Sequence, residues 1–237
     1  MAPEFECSRE VILPASPQEV WEAVATTNGN AAWLFPTEID PTGAGARVWD
    51  PPHHFAVRME QGDWFNALEF VIEAREGGTT ALRYAHSGIF VDNWDTQYDA
   101  LQQHTAFYLH TLGEYLKHFK GRRATYIGEV PHGIQGPPSS ATADGFERLV
   151  RALGLNEHTS EGQRVRLAPR GLEPVQGTID YRQPHFLGVR SADALYCFFG
   201  RNAFGAPVGI SIHSFAEDVD AEQTKQRWQQ WLADALA

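Results

Sequence analysis

Apolar and polar positions change their period several times along this chain, and each change predicts an element. From Glu4 to Leu13 they alternate, with Phe5, Cys7, Val11 and Leu13 on one side, which predicts a strand stopped by Pro14. Ser16-Pro17 then sets a helix N-cap beside a proline at the first helical position, with Glu19 in the first turn. Val20, Trp21 and Val24 form the apolar stripe of a short helix ending before Asn28-Gly29, and Ala31 to Phe35 predicts a second short helical turn. Period two returns over 47–50, 55–61, 64–74 and 79–87, with turns at Gly62-Asp63 and Gly77-Gly78, the order of an antiparallel meander. Within it Trp64, Asn66, Leu68, Phe70 and Ile72 share one face.

Residues 94–119 carry the clearest pattern. Trp94, Tyr98, Leu101, Thr105, Tyr108, Leu112, Tyr115 and Phe119 recur at steps of four and three, which puts them on one face of a long helix. Asp92 and Asp95 at its start and Lys117, His118, Lys120 and Arg122 at its end suit the helix dipole. After a Gly/Pro-rich stretch from Pro131 to Ser140, the plan repeats. A helix is predicted over 142–153, then strands over 164–168, 175–181, 186–190, 194–199 and 207–215, then a helix from about Asp220. The expected division is a first domain over 1–122, a linker over 123–140 and a second, diverged domain over 141–237.

Two stretches carry a resemblance. "SPQEVWEAVATTNGNAAWLFP", where a strand runs into paired short helices, and "NWDTQYDALQQHTAFYLHTLGEYLKHF", a Trp-led aromatic terminal helix, make residues 4–120 resemble the START/SRPBCC (Bet v 1-like) superfamily. Within it they resemble the branch called activator of Hsp90 ATPase homologue 1-like. Residues 124–237 resemble a second copy by element order rather than by motif. The resemblance implies an α+β helix-grip fold, a curved antiparallel sheet wrapped around a long C-terminal helix, here duplicated in tandem. It also implies a cavity between sheet and helix. Members of the superfamily mostly bind small ligands, and some are cyclases or hydroxylase-like enzymes, so the fold leaves function open.

Composition narrows the partners. The net charge of −11 sits almost wholly in residues 1–120, where seven Lys/Arg face seventeen Asp/Glu. Nucleic acid and anionic membrane select for basic surfaces, so neither is expected as a partner, while a protein partner on the acidic first half is compatible. No run of ~20 apolar residues and no secretory signal is visible, and Cys7 and Cys197 form no metal or disulfide pattern, so the expected location is cytoplasmic. His53-His54 lacks supporting ligands, and Gly200-Arg201-Asn202 fits a turn better than a phosphate cradle, so neither metal nor cofactor is expected.

The candidate ligand-binding set is Trp33, Phe35, Arg58, Glu69, Arg83, Trp94, Tyr98, Thr105 and Tyr108. The helical members offer aromatic bulk with polar tips, as a cavity wall should; solid core is the alternative for the same stripe. Arg58, Glu69, Arg83 and His86 are possible orienting groups from the sheet, subject to strand register. His185, Tyr196 and His213 are weaker candidates for a second pocket. No convergent catalytic set is present. The function expected first is binding of a small hydrophobic or amphipathic molecule. The alternatives are an aromatase/cyclase-type enzyme using the same pocket, and a protein-docking module with a filled core.

Overall fold

The computed structural model describes residues 4–90 and 93–237; Asp92, expected at a helix start, lies outside them. The chain forms two compact units, Met1–Asn30 with Pro36–Gly121, and Ala31–Phe35 with Arg122–Ala237.

In the first unit, strand β1 (Glu4–Leu13) leads into helices α1 (Pro17–Ala25) and α2 (Thr27–Asn30). Strands β2 (Ala46–Asp50), β3 (His54–Gln61), β4 (Trp64–Arg75) and β5 (Thr79–Ile89) follow, then helix α3 (Trp94–His118). Ser16 opens α1 with a capping box: its hydroxyl accepts from the Glu19 amide, and the Glu19 carboxylate accepts from the Ser16 amide at 2.7 Å. The second short helix forms four residues earlier than the pattern predicts. Thr26 is the cause, since its hydroxyl donates to the Glu22 carbonyl at 2.7 Å and accepts from the Gly29 amide at 2.9 Å. Gly29 then packs so closely that a Cβ there would stand 2.0 Å from the Glu22 carbonyl oxygen. The strands pair antiparallel in the order β1-β5-β4-β3-β2, and Gly77 and Gly78, both at φ 73°, make the β4–β5 turn.

The second unit contains β6 (Thr125–Ile127), β7 (Ile134–Gln135), α4 (Gly145–Ala152), β8 (Arg164–Leu167), β9 (Val175–Gln183) and β10 (Phe186–Arg190). It continues through β11 (Ala194–Phe199), β12 (Gly209–Ser214) and α5 (Ala221–Ala235). Its strand order is β6-β12-β11-β10-β9-β8, with β7 also on β12. Much of the expected linker over 123–140 is therefore folded. Ile127 and Ile134, 2% and 1% exposed, pair opposite Ile212 and Ile210 of β12. Gly133, at positive φ, allows the approach, because a Cβ there would stand 2.5 Å from the Ile210 carbonyl oxygen. Helix α4 starts later than the pattern predicts, since the Asn202 amide takes the Thr142 and Ala143 carbonyls as acceptors at 3.0 and 3.1 Å.

The two units share one topology. In each, the first strand lies beside the last, the remaining strands follow in reverse order, and a C-terminal helix follows the sheet. This is the helix-grip arrangement in tandem. In the second unit Trp228 of α5 meets Tyr196 and Phe198 of β11, with ring centroids 6.0 and 6.3 Å apart.

Candidate functional site

The register of the first sheet sorts its side chains into rows, because directly opposed residues of antiparallel strands share a face. On the face that meets α3, one row holds Val11, Leu82 and Ile72. The next holds Arg9, Tyr84, Phe70, Phe55 and Trp49, then Cys7, His86, Leu68 and Val57, and last Phe5, Gly88, Asn66 and Met59. Helix α1 closes the first rows, with Trp21 edge-on to Trp49 and Phe55 at 4.9 and 5.5 Å. Phe55, Ile72 and Leu82 are sealed there. Toward the β3–β4 hairpin the same face loosens on β3, β4 and part of β5, where Val57, Leu68, Asn66 and His86 are half-buried and Met59 is 62% exposed, while Phe5, Cys7 and Gly88 of the same rows stay buried. Helix α3 follows the same gradient, with Leu112, Tyr115 and Leu116 buried and Trp94, Tyr98 and Leu101 half-buried. This face is therefore sealed at one end and partly exposed at the other.

Polar groups line the open part. The Asn66 amide nitrogen stands 3.0 Å from His86 Nε2; an amide N–H can only donate, so Nε2 accepts and the imidazole is neutral. Removal from water pushes the His86 pKa down to about 4. Burial also drives the Tyr84 phenol well above its ordinary range, with Cys7 and Tyr108 raising it further and a hydrogen bond with Thr105 partly opposing them. The Tyr98 hydroxyl donates to the Glu6 carbonyl at 3.0 Å, and its ring stacks on Trp94 at 4.8 Å. Trp94 Nε1 is buried and has no hydrogen-bond partner among the described residues. Among the described residues, no group of three His, Cys, Asp or Glu is placed to hold a metal, and no helix is long and apolar enough to cross a membrane.

Trp94, Tyr98, Thr105 and Tyr108 thus come together along α3 with sheet residues of the cleft. Arg58, Glu69 and Arg83 do not join them, because the register turns all three to the opposite face. There Arg58 bonds Glu60 at 2.5 Å and lies over the Phe65 ring, Glu69 meets His54 at 2.8 Å, and Arg83 meets Glu73 at 3.2 Å. They border surface hollows of about 500 and 250 Å³ on that outer face. Trp33, which is buried, and Phe35 belong to the second unit. Tyr84 and Asn66 were not singled out as site residues. The alternation Thr80, Leu82, Tyr84, His86 and the face shared by Asn66 and Leu68 were the signals that could have found them.

In the second unit His185, Tyr196 and His213 are dispersed. His185 borders a cavity of about 590 Å³ and Tyr196 one of about 390 Å³ beside Trp228. His213 is sealed: its Nδ1 donates to the Ala31 carbonyl at 2.8 Å, its Nε2 has no partner among the described residues, and burial lowers its pKa to about 4.

No family model matches the chain, and no curated protein does. Among solved structures it is similar to the Aha1 dimer protein of Colwellia psychrerythraea, at 18% identity over 49% of this chain and 99% of that one, TM-score 0.41. An AHSA1-like protein of Rhizobium etli is 22% identical over 51% of this chain and 91% of its own, TM-score 0.37. The di-domain ARO/CYC BexL, from the BE-7585A biosynthetic pathway, is 12% identical over 98% of both chains, TM-score 0.40.

Proposed function

We propose that the first unit binds a small, largely apolar molecule in the cleft between α3 and the sheet. The observation that carries this is the gradient along one face: residues that would be sealed in a solid core stay half-open at Val57, Leu68, Asn66, His86, Trp94 and Tyr98. Such a surface is apolar with a few fixed polar tips, which is the composition of ligand sites. Apart from Arg9, whose guanidinium reaches Gln102 of α3, the polar groups of this face are uncharged: a neutral imidazole, an amide, a buried indole N–H and tyrosine or threonine hydroxyls. An uncharged or amphipathic guest, with its polar end as a hydrogen-bond acceptor for the Trp94 indole, suits them.

One observation favours a second reading, proton transfer on the bound guest. His86 stays neutral at pH 7 beside Asn66, with its proton on Nδ1, and would act as a base once the Asn66 amide releases Nε2. Native mass spectrometry of freshly purified protein, followed by a thermal-shift screen of uncharged hydrophobic compounds, tests the binding role. A retained mass, or a melting shift confined to one chemical class, supports it. A clean mass with no shift across the library contradicts it. Turnover of a binder that is lost in His86→Gln would mark the enzyme.

A further inference from the structure

The 590 Å³ cavity of the second unit lies at the β9–β10 turn, under α4. Its volume falls within the ~300–1,000 Å³ typical of small-molecule sites. Phe146 and Val150 of α4, with Ala143 and Pro184, give it an apolar lining, and Arg182, His185 and Asn202 give it a polar one.

Arg182 is the unusual member. It pairs opposite Leu187, a core residue, so the register turns it to the inner face of the sheet rather than to solvent. Its guanidinium stands 5.8 Å from the Phe146 ring centroid. Its side chain makes one hydrogen bond, from Nη1 to the Gln183 carbonyl at 3.2 Å, and among the described residues no carboxylate pairs with it. Of the acids that border the cavity, Glu147 lies 3.7 Å from Arg151, itself a lining residue, and Glu157 lies 3.8 Å from His158, while the Glu161 carboxylate accepts from the Arg182 backbone amide at 2.8 Å rather than from its guanidinium. A guanidinium keeps its charge in a protein and presents five N–H donors in a planar fork, so most of this fork is unspent. Burial disfavours that charge, a cost that an anion in the cavity would offset. Beside it, Asn202 is locked by its two bonds to the Thr142 and Ala143 carbonyls, which gives the wall a fixed shape.

We propose that this cavity is a second ligand site, taking a small monocarboxylate on a flat apolar body, with the carboxylate on Arg182 and the body against Phe146 and Val150. Planar bidentate recognition is what a guanidinium offers a carboxylate. The acids at the rim, Glu147 and Glu157, disfavour more highly charged anions. The site does not depend on the cleft of the first unit.

The test is calorimetric titration of the intact protein with 2-naphthoate and with its uncharged counterpart 2-naphthamide. The expected result is one site for naphthoate, at least tenfold weaker binding of the amide, and at least a tenfold loss of naphthoate affinity in Arg182→Gln. Equal binding of the two probes, no binding of naphthoate, or unchanged binding in the variant would overturn the proposal. Amide chemical-shift mapping on the wild-type protein gives an answer that needs no variant. Naphthoate should move resonances of 143–151 and 182–185, and shifts confined to other residues would overturn the assignment.

Discussion

The two sheets share a topology but treat their helix-facing sides in opposite ways. In the second unit Ile127, Ile134, Leu187, Val189, Phe198, Ile210 and Ile212 are each at most 2% exposed, and Trp228, Trp231 and Leu232 of α5 join them in one core. In the first unit the rows toward the β3–β4 hairpin carry Asn66, His86 and Gly88 among smaller apolar groups, and they stay half-open. The difference lies in side-chain chemistry. Sealing a polar group without a hydrogen-bond partner costs a few kcal/mol, so rows that carry polar side chains close less readily than apolar ones. Trp94 and Tyr98 at the start of α3 stack on each other and stay half-buried.

The largest expected effect breaks the filled side of this comparison. Phe198→Ala should cost about 3–5 kcal/mol, since it empties a fully buried aromatic site, whereas Leu68→Ala in the half-open row should cost well under half of that; urea denaturation of both variants compares them. Equal costs would mean that the first cleft is as tightly packed as the second core.

The next effect is on pH dependence. Burial lowers the pKa of His86 and of His213 to about 4 in the folded chain, against 6.5 for an ordinary imidazole in water. The unfolded chain therefore binds more protons between those values, so the stability linked to each is complete above about pH 6.5 and is lost as pH falls toward 4. A difference of that size is worth on the order of 3 kcal/mol per histidine. Denaturation between pH 7.5 and 4.5 should show a shallower fall in His86→Gln and in His213→Gln than in the wild type. An unchanged slope in either would place that imidazole in water.

Smaller effects separate binding from stability. Trp94→Leu should weaken a guest found by thermal-shift screening about tenfold while changing stability by no more than ~1 kcal/mol, because the ring is half-exposed. Glu69→Gln, on the outer face, should alter stability by less than about 0.5 kcal/mol and leave binding unchanged, as for most exposed ion pairs.

Much of this was legible in the residues. The step-four, step-three pattern of aromatics fixed α3 to within a residue, and Ser16-Pro17 placed the start of α1, because both signals are local. Arg58, Glu69 and Arg83 were misplaced for a non-local reason. In a strand that alternates apolar with charged residues, the side facing the helix depends on pairing with neighbours distant in sequence. The stretch 123–140 was misread because glycines and prolines mark tight backbone approach as well as flexible connection; Gly133 does the former. Trp33 and Phe35 illustrate the same limit, since no local pattern tells which unit a short segment joins.

The most direct test of the open cleft is to fill it. Nile red, an uncharged apolar dye, should bind the wild-type protein saturably, with enhanced emission. Leu68→Trp should abolish that binding while its melting temperature stays within a few degrees of wild type. Undiminished dye binding by a folded Leu68→Trp variant would contradict a ligand cleft between α3 and the first sheet.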